Sequence, residues 1–67
     1  MSHVHPGQLR KWQNGVFGHD QKYFTILRRR FHEVANADEA WYFLEDGSVD
    51  WEYEADIVDL SEAVYDV

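Results

Sequence analysis

WYFLEDGSVDWEYEADI, residues Trp41–Ile57, reads as a β-hairpin turning at Asp46-Gly47. Asp-Gly meets the positive-φ requirement of a two-residue type I′ turn at little steric cost. Past the turn, Val49, Trp51 and Tyr53 alternate with Asp50, Glu52 and Glu54, the two-residue period of a strand with one buried face. A two-residue turn sets Leu44 opposite Val49, Tyr42 opposite Trp51 and Ala40 opposite Tyr53. Cross-strand partners share a face, so this apolar set is expected to point into a core. The opposite face then carries Trp41 and Phe43 against Asp50 and Glu52. The expected core comprises Leu9, Ile26, Tyr42, Leu44, Val49, Trp51 and Ile57.

Upstream of the hairpin, Lys22–His32 is a second strand, since Tyr23, Phe24, Ile26, Leu27 and Phe31 all favour extended backbone. Its apolar residues fall on both faces, as in a strongly bent strand. Gln8–Trp12 supplies a first strand with Leu9 as its apolar candidate. Asn14-Gly15 and Gly18-His19-Asp20 are turn material, which makes Gln13–Gln21 a loop, with Val16 and Phe17 folded over a core edge. Met1–Gly7 has no periodicity and reads as a loose arm. Glu33–Glu39 reads as a loop with at most one helical turn, because Asn36 interrupts a stretch too short for a stable helix. Glu54–Ile57 suits a 3₁₀ turn and Val58–Leu60 a brief closing strand. Ser61 can then cap a last helical turn through Tyr65. The division is an arm over 1–6, one β domain over 7–60 and a tail over 61–67.

A chain of 67 residues without cysteine must stabilise one small core by packing alone. Its aromatic fraction of 16% supplies the means, because each buried ring removes roughly 150–250 Å² from water. Met1–Leu9 holds two histidines, a proline and no apolar run, so neither a secretory leader nor a membrane span is expected. Net charge is −7, unevenly distributed. All Lys and Arg residues precede Phe31, and every acid except Asp20 follows His32. Such asymmetry gives either a bipolar surface or pairing between the halves.

Gly7-Gln8-Leu9, Tyr23-Phe24-Thr25-Ile26-Leu27 and WYFLEDGSVDWEYEADI together resemble SH3-like and Tudor-like modules, over about Gly7 to Leu60. With its Asp56-Ile57 turn the chain is also similar to short SH3-like proteins of tailed bacteriophages. The resemblance implies an all-β fold: a small SH3-like barrel of four to five strands, a short 3₁₀ turn and room for a C-terminal helical turn. It also implies a phage accessory or virion-associated adaptor, and a cytoplasmic location, in the host or in the virion. The tyrosine-rich first segment and the Trp-Trp pair of peptide-binding SH3 domains do not stand in this sequence.

Trp41, Phe43, Asp50 and Glu52, with Glu45 and Glu54 at the rim, form the expected partner-binding surface. Rings framed by carboxylates suit a protein offering Arg or Lys, or a second copy of the chain. The competing reading covers Trp41 and Phe43 with the Val16-Phe17 loop or the C-terminal turn. Arg28-Arg29-Arg30 invites a nucleic-acid reading, yet alternation puts Arg28 and Arg30 on one face and Arg29 on the other. Phosphate repulsion by the acidic half opposes such binding unless the acids face away. His3, His5, His19 and His32 do not compose a metal site, and no cofactor or catalytic group is expected. Two functions follow: a non-enzymatic protein-interaction module, or an acidic nucleic-acid mimic that inhibits a nucleic-acid-binding enzyme.

Overall fold

A computed structural model describes residues 3–13 and 22–65. Its strands are β1 (Leu9–Trp12), β2 (Tyr23–His32), β3 (Ala37–Leu44), β4 (Val49–Tyr53) and β5 (Ser61–Tyr65), with helix α1 (Glu54–Leu60) before the last. All neighbours are antiparallel, in the order β4-β3-β2-β1-β5. The chain is mostly β, as expected, but the sheet is open. Its edges β4 and β5 do not pair, so the backbone does not close into the expected barrel. The loop read over Val16 and Phe17, and His19, lie outside the described residues.

The hairpin turns where expected and pairs differently. Phe43 stands opposite Val49, Tyr42 opposite Asp50 and Trp41 opposite Trp51, one residue away from the register of a two-residue turn. The cause is the turn itself. Gly47 N–H donates to Leu44 C=O at 2.9 Å and Leu44 N–H donates to Ser48 C=O at 2.9 Å, leaving three residues in the loop. Gly47 alone takes the left-handed conformation there, at φ 87°. This is a type I turn closed by a glycine bulge rather than a type I′ turn. Asp46 favours it, because its Oδ1 accepts from Ser48 N–H at 2.9 Å and from Ser48 Oγ–H at 2.6 Å.

β2 and β3 form the longest hairpin. β3 begins at Ala37 rather than Trp41, and the four-residue turn Glu33–Asn36 has Asn36 left-handed at φ 50°. A register shift between Ile26 and Arg28 places a bulge at Leu27. Such a bulge bends the strand and explains why apolar residues occupy both of its faces. The C-terminal order is also reversed from expectation. Helix comes first, over Glu54–Leu60, and the strand follows over the segment read as a tail. Ser61 therefore ends α1 instead of starting a turn, donating its hydroxyl to Ile57 C=O. Pairing with β1 outweighs the weak local helix preference of Ser61–Tyr65.

The core lies on the inner face, under α1 and the N-terminal segment: Val4, Trp12, Phe24, Ile26, Ala40, Tyr42, Leu44 and Ile57. Trp12 and Phe24 stack at 4.0 Å between centroids, and Tyr42 meets both at 5.4 and 5.0 Å. Ile26, Tyr42, Leu44 and Ile57 are buried as expected. Leu9, Val49 and Trp51 are not in this core, because all three point to the other side of the sheet. The described part of the segment read as a loose arm is held down at Val4 and Gly7. Val4 is completely buried, its N–H donates to Glu54 Oε2 at 3.1 Å, and Gly7 N–H donates to Ile26 C=O at 2.8 Å. Buried Arg10 ties β1 to β5, donating to Ser61 Oγ at 2.7 Å, Ser61 C=O at 3.2 Å and Gln8 Oε1 at 3.0 Å.

Candidate functional site

The one-residue change of register decides which side chains share a surface. On the outer face Trp41 and Phe43 meet Val49, Trp51 and Tyr53, and the expected neighbours Asp50 and Glu52 pass to the inner side. The Tyr42 hydroxyl reports that change. Burial, with the charges of Asp50 and Glu52 adding, holds its phenol well above the ordinary tyrosine range. As β4 is an edge strand, Asp50 still reaches water from that side.

Alternation from the Leu44–Ser48 pair makes Trp41–Trp51 a non-hydrogen-bonded pair, the type that brings side chains closest. The two indoles lie 6.2 Å apart with planes inclined by 31°. Tyr53 meets Trp51 edge-on at 5.2 Å, and the His32 imidazole stacks beside Trp51 at 6.2 Å. Phe43 and Val49 extend this surface toward the turn and are 36% and 56% exposed. Trp51 N–H then points out from the sheet edge, where Asp50 Oδ1 accepts it at 2.8 Å. Filling that edge donor blunts β4 as a template for a further strand.

Cations frame the rings. Arg28 stands opposite Trp41, its guanidinium 5.0 Å from the ring centroid, and Arg30 occupies the next outer position of β2. Lys11 of β1 lies over the Tyr23 ring at 5.7 Å. Arg29 points inward, as alternation requires, and pairs with Asp38 at 3.0 Å and Glu54 at 3.1 Å. Glu39 is the carboxylate embedded among the rings. It accepts from Trp41 Nε1–H at 3.1 Å and lies 3.6 Å from His32 Nε2, while His32 Nδ1 accepts from Ala35 N–H at 3.2 Å. Beyond His32, Arg30, Phe31, Glu33, Val34 and Glu39 line an open depression of ≈ 560 Å³ at the hairpin tip.

The expected site residues thus divide. Trp41 and Phe43 belong to one surface. Asp50 and Glu52 lie across the sheet from them. Glu45 spends its Oε2 on the N–H groups of Lys22 and Tyr23, at 3.0 and 3.3 Å. Glu54 is a clamp between Val4 and Arg29 rather than a rim residue. Val49, Trp51, Tyr53, Arg28 and Arg30 were not assigned to this surface from the sequence. Alternation had grouped the first three correctly, and only the register told which side they take. Among the described residues no cluster of three or more His, Cys, Asp or Glu could hold a metal ion, and no helix is long and apolar enough to cross a membrane. No family model matches the chain, and no curated protein or solved structure is significantly similar to it.

Proposed function

We propose that this chain is a non-enzymatic interaction module working through the outer face of β2, β3 and β4. The observation that carries the reading is the exposure of Phe43 and Val49 beside the Trp41–Trp51 pair, on a face that α1 and the N-terminal segment leave open. Contiguous apolar surface of this kind mostly marks contact sites. The strand order, the bent β2 and the short helix between β4 and β5 support an SH3-like reading of the fold. A basic partner loses its support, since the carboxylates meant to select it face the other way and Arg28 stands over Trp41. The surface suits instead a partner that offers flat or apolar groups together with negative charge.

The test is amide chemical-shift mapping with the partner captured by the purified chain, repeated with Phe43→Ser and Val49→Ser. Both positions are exposed, so the fold is expected to survive. Shifts are expected on β2–β4, with weaker binding by both variants. Shifts confined to α1 and β5, with binding unchanged, would overturn the assignment. The mimic reading draws on Asp50, Asp56 and Asp59, exposed on the opposite side. It requires Asp56→Asn and Asp59→Asn to weaken binding instead.

A further inference from the structure

Resting on that interaction-surface reading, we propose that the outer face binds single-stranded nucleic acid with little base preference. Bases would stack on Phe43, Trp41 and Trp51, and phosphates would be held by Arg28, Arg30 and Lys11. Single strands are bound where rings that accept any base lie beside cations that follow the backbone. Both features occur here on adjacent strands. Phe43 is the exposed ring of the row, and beside it the half-buried Trp41 and Trp51 stand 6.2 Å apart, with His32 stacked on Trp51. Arg28 lies over the Trp41 ring, so it turns aside when a base stacks there, and its guanidinium then stands beside the stacked base and its phosphate. Among the described residues Arg28, Arg30 and Lys11 make no ion pair, so their charge is available to a phosphate.

An acidic chain is a poor nucleic-acid ligand unless its acids face away. The fold turns most of them away, with Glu39 opposite Arg30 and Glu62 opposite Lys11 remaining on the outer side. Asp50 and Glu52 lie on the inner side of β4, Asp56 and Asp59 are on α1, which packs on that same side, and Asp38 and Glu54 are paired with Arg29. On the outer side Glu39 is buried and bonded to Trp41, Glu45 holds two amides, and Glu62 stands opposite Lys11 at the far end. The molecule is 21 Å across its thinnest direction, while the Debye length is about 10 Å at 0.1 M salt. The α1 acids Asp56 and Asp59, on the far side of the sheet, act only weakly on a strand on the outer face, whereas Asp50 and Glu52 lie one sheet thickness away on β4. A duplex hides its base faces and cannot use the rings, which directs the site to single strands.

The probes are an oligouridylate and an oligothymidylate of about 15 nucleotides, titrated into the full chain at about 50 and 200 mM salt. Tryptophan fluorescence and amide shifts are the readouts. Quenching is expected, with shifts on β2–β4. Three phosphate contacts at a slope of about −0.7 each make binding roughly 20-fold weaker at the higher salt, and Arg28→Ala with Arg30→Ala reduces that ratio to about threefold. Phe43→Ala, melting as the parent does, is expected to weaken binding roughly five- to a hundredfold. Asp56→Asn with Asp59→Asn should leave binding equal or tighter. No quenching by either oligonucleotide at the lower salt overturns the proposal, as does binding indifferent to Phe43 and the arginines. If the oligonucleotides fail while Phe43→Ser still loses a captured protein, the interaction surface stands and its ligand is a protein. If Phe43→Ser retains that protein as well, both readings fall.

Discussion

Replacing Tyr42 by Phe tests the interior of this fold at a single atom. Tyr42 is completely buried among Trp12, Phe24 and Ile57, and its hydroxyl finds no hydrogen-bond partner among the described residues. An unsatisfied buried hydroxyl costs roughly 1–3 kcal/mol, and its removal leaves only a small void. At neutral pH Tyr42→Phe is therefore expected to be neutral or to gain about 1 kcal/mol. The alkaline limb gives a second, independent readout. Burial and the charges of Asp50 and Glu52 raise the folded-state pKa above that of the unfolded chain, about 10. Above pH 10 the unfolded state has released this proton and the folded state keeps it, so stability falls as pH rises. The contribution is fully present below pH 10. With the folded phenol still protonated, the loss at pH 11 is RT ln 11, about 1.4 kcal/mol. Urea unfolding of both proteins between pH 7 and 11 measures it, and their difference removes every other titrating group. A Phe variant less stable by more than about 1 kcal/mol at pH 7 would show that the hydroxyl is hydrogen-bonded, and one with the parent's alkaline slope would show that the phenol reaches water; either result refutes a buried, unpartnered Tyr42 hydroxyl.

Two further substitutions test the register and the turn. Phe24→Ala should cost about 3–5 kcal/mol, comparable to the whole stability of so small a domain, whereas Trp51→Ala on the half-buried outer face should cost about half as much or less. Equal losses in thermal melts would return Trp51 to the core and restore the two-residue turn. Gly47→Val should destabilise by at least about 1–2 kcal/mol because a β-branched residue resists φ 87°, even though a Cβ there meets no atom within 4 Å, and Gly47→Asn should cost less. Indistinguishable denaturation midpoints for parent and Gly47→Val would refute the glycine-bulge turn.

What the sequence determined by itself were the features that depend on neighbours in the chain. Alternation in Val49–Tyr53, the strand-favouring run of β2 and the Asp46-Gly47 signal are local, and they placed β2, β4, the hairpin turn and the opposed faces of Arg28 and Arg29. Ile26, Tyr42, Leu44 and Ile57 were legible as core for the same reason. Tertiary structure decided how those pieces met. Period two tells which residues of one strand share a face, but not which face turns inward, and in β3 and β4 both faces carry rings. Either register buries aromatic area, so the choice fell to the Asp46–Ser48 bonds in the turn and to Val4 and Ile57, which cover Ala40 and Tyr42 from one side only. The C-terminal segment likewise took its strand from pairing with β1 and from the Arg10–Ser61 bonds across 51 positions of sequence, contacts for which no local pattern exists. The candidate site was half visible for that reason. Trp41 and Phe43 could be read from their own strand, whereas their neighbours Trp51, Val49 and Arg28 are set by hydrogen bonding between strands, where a shift of one residue exchanges carboxylates for rings.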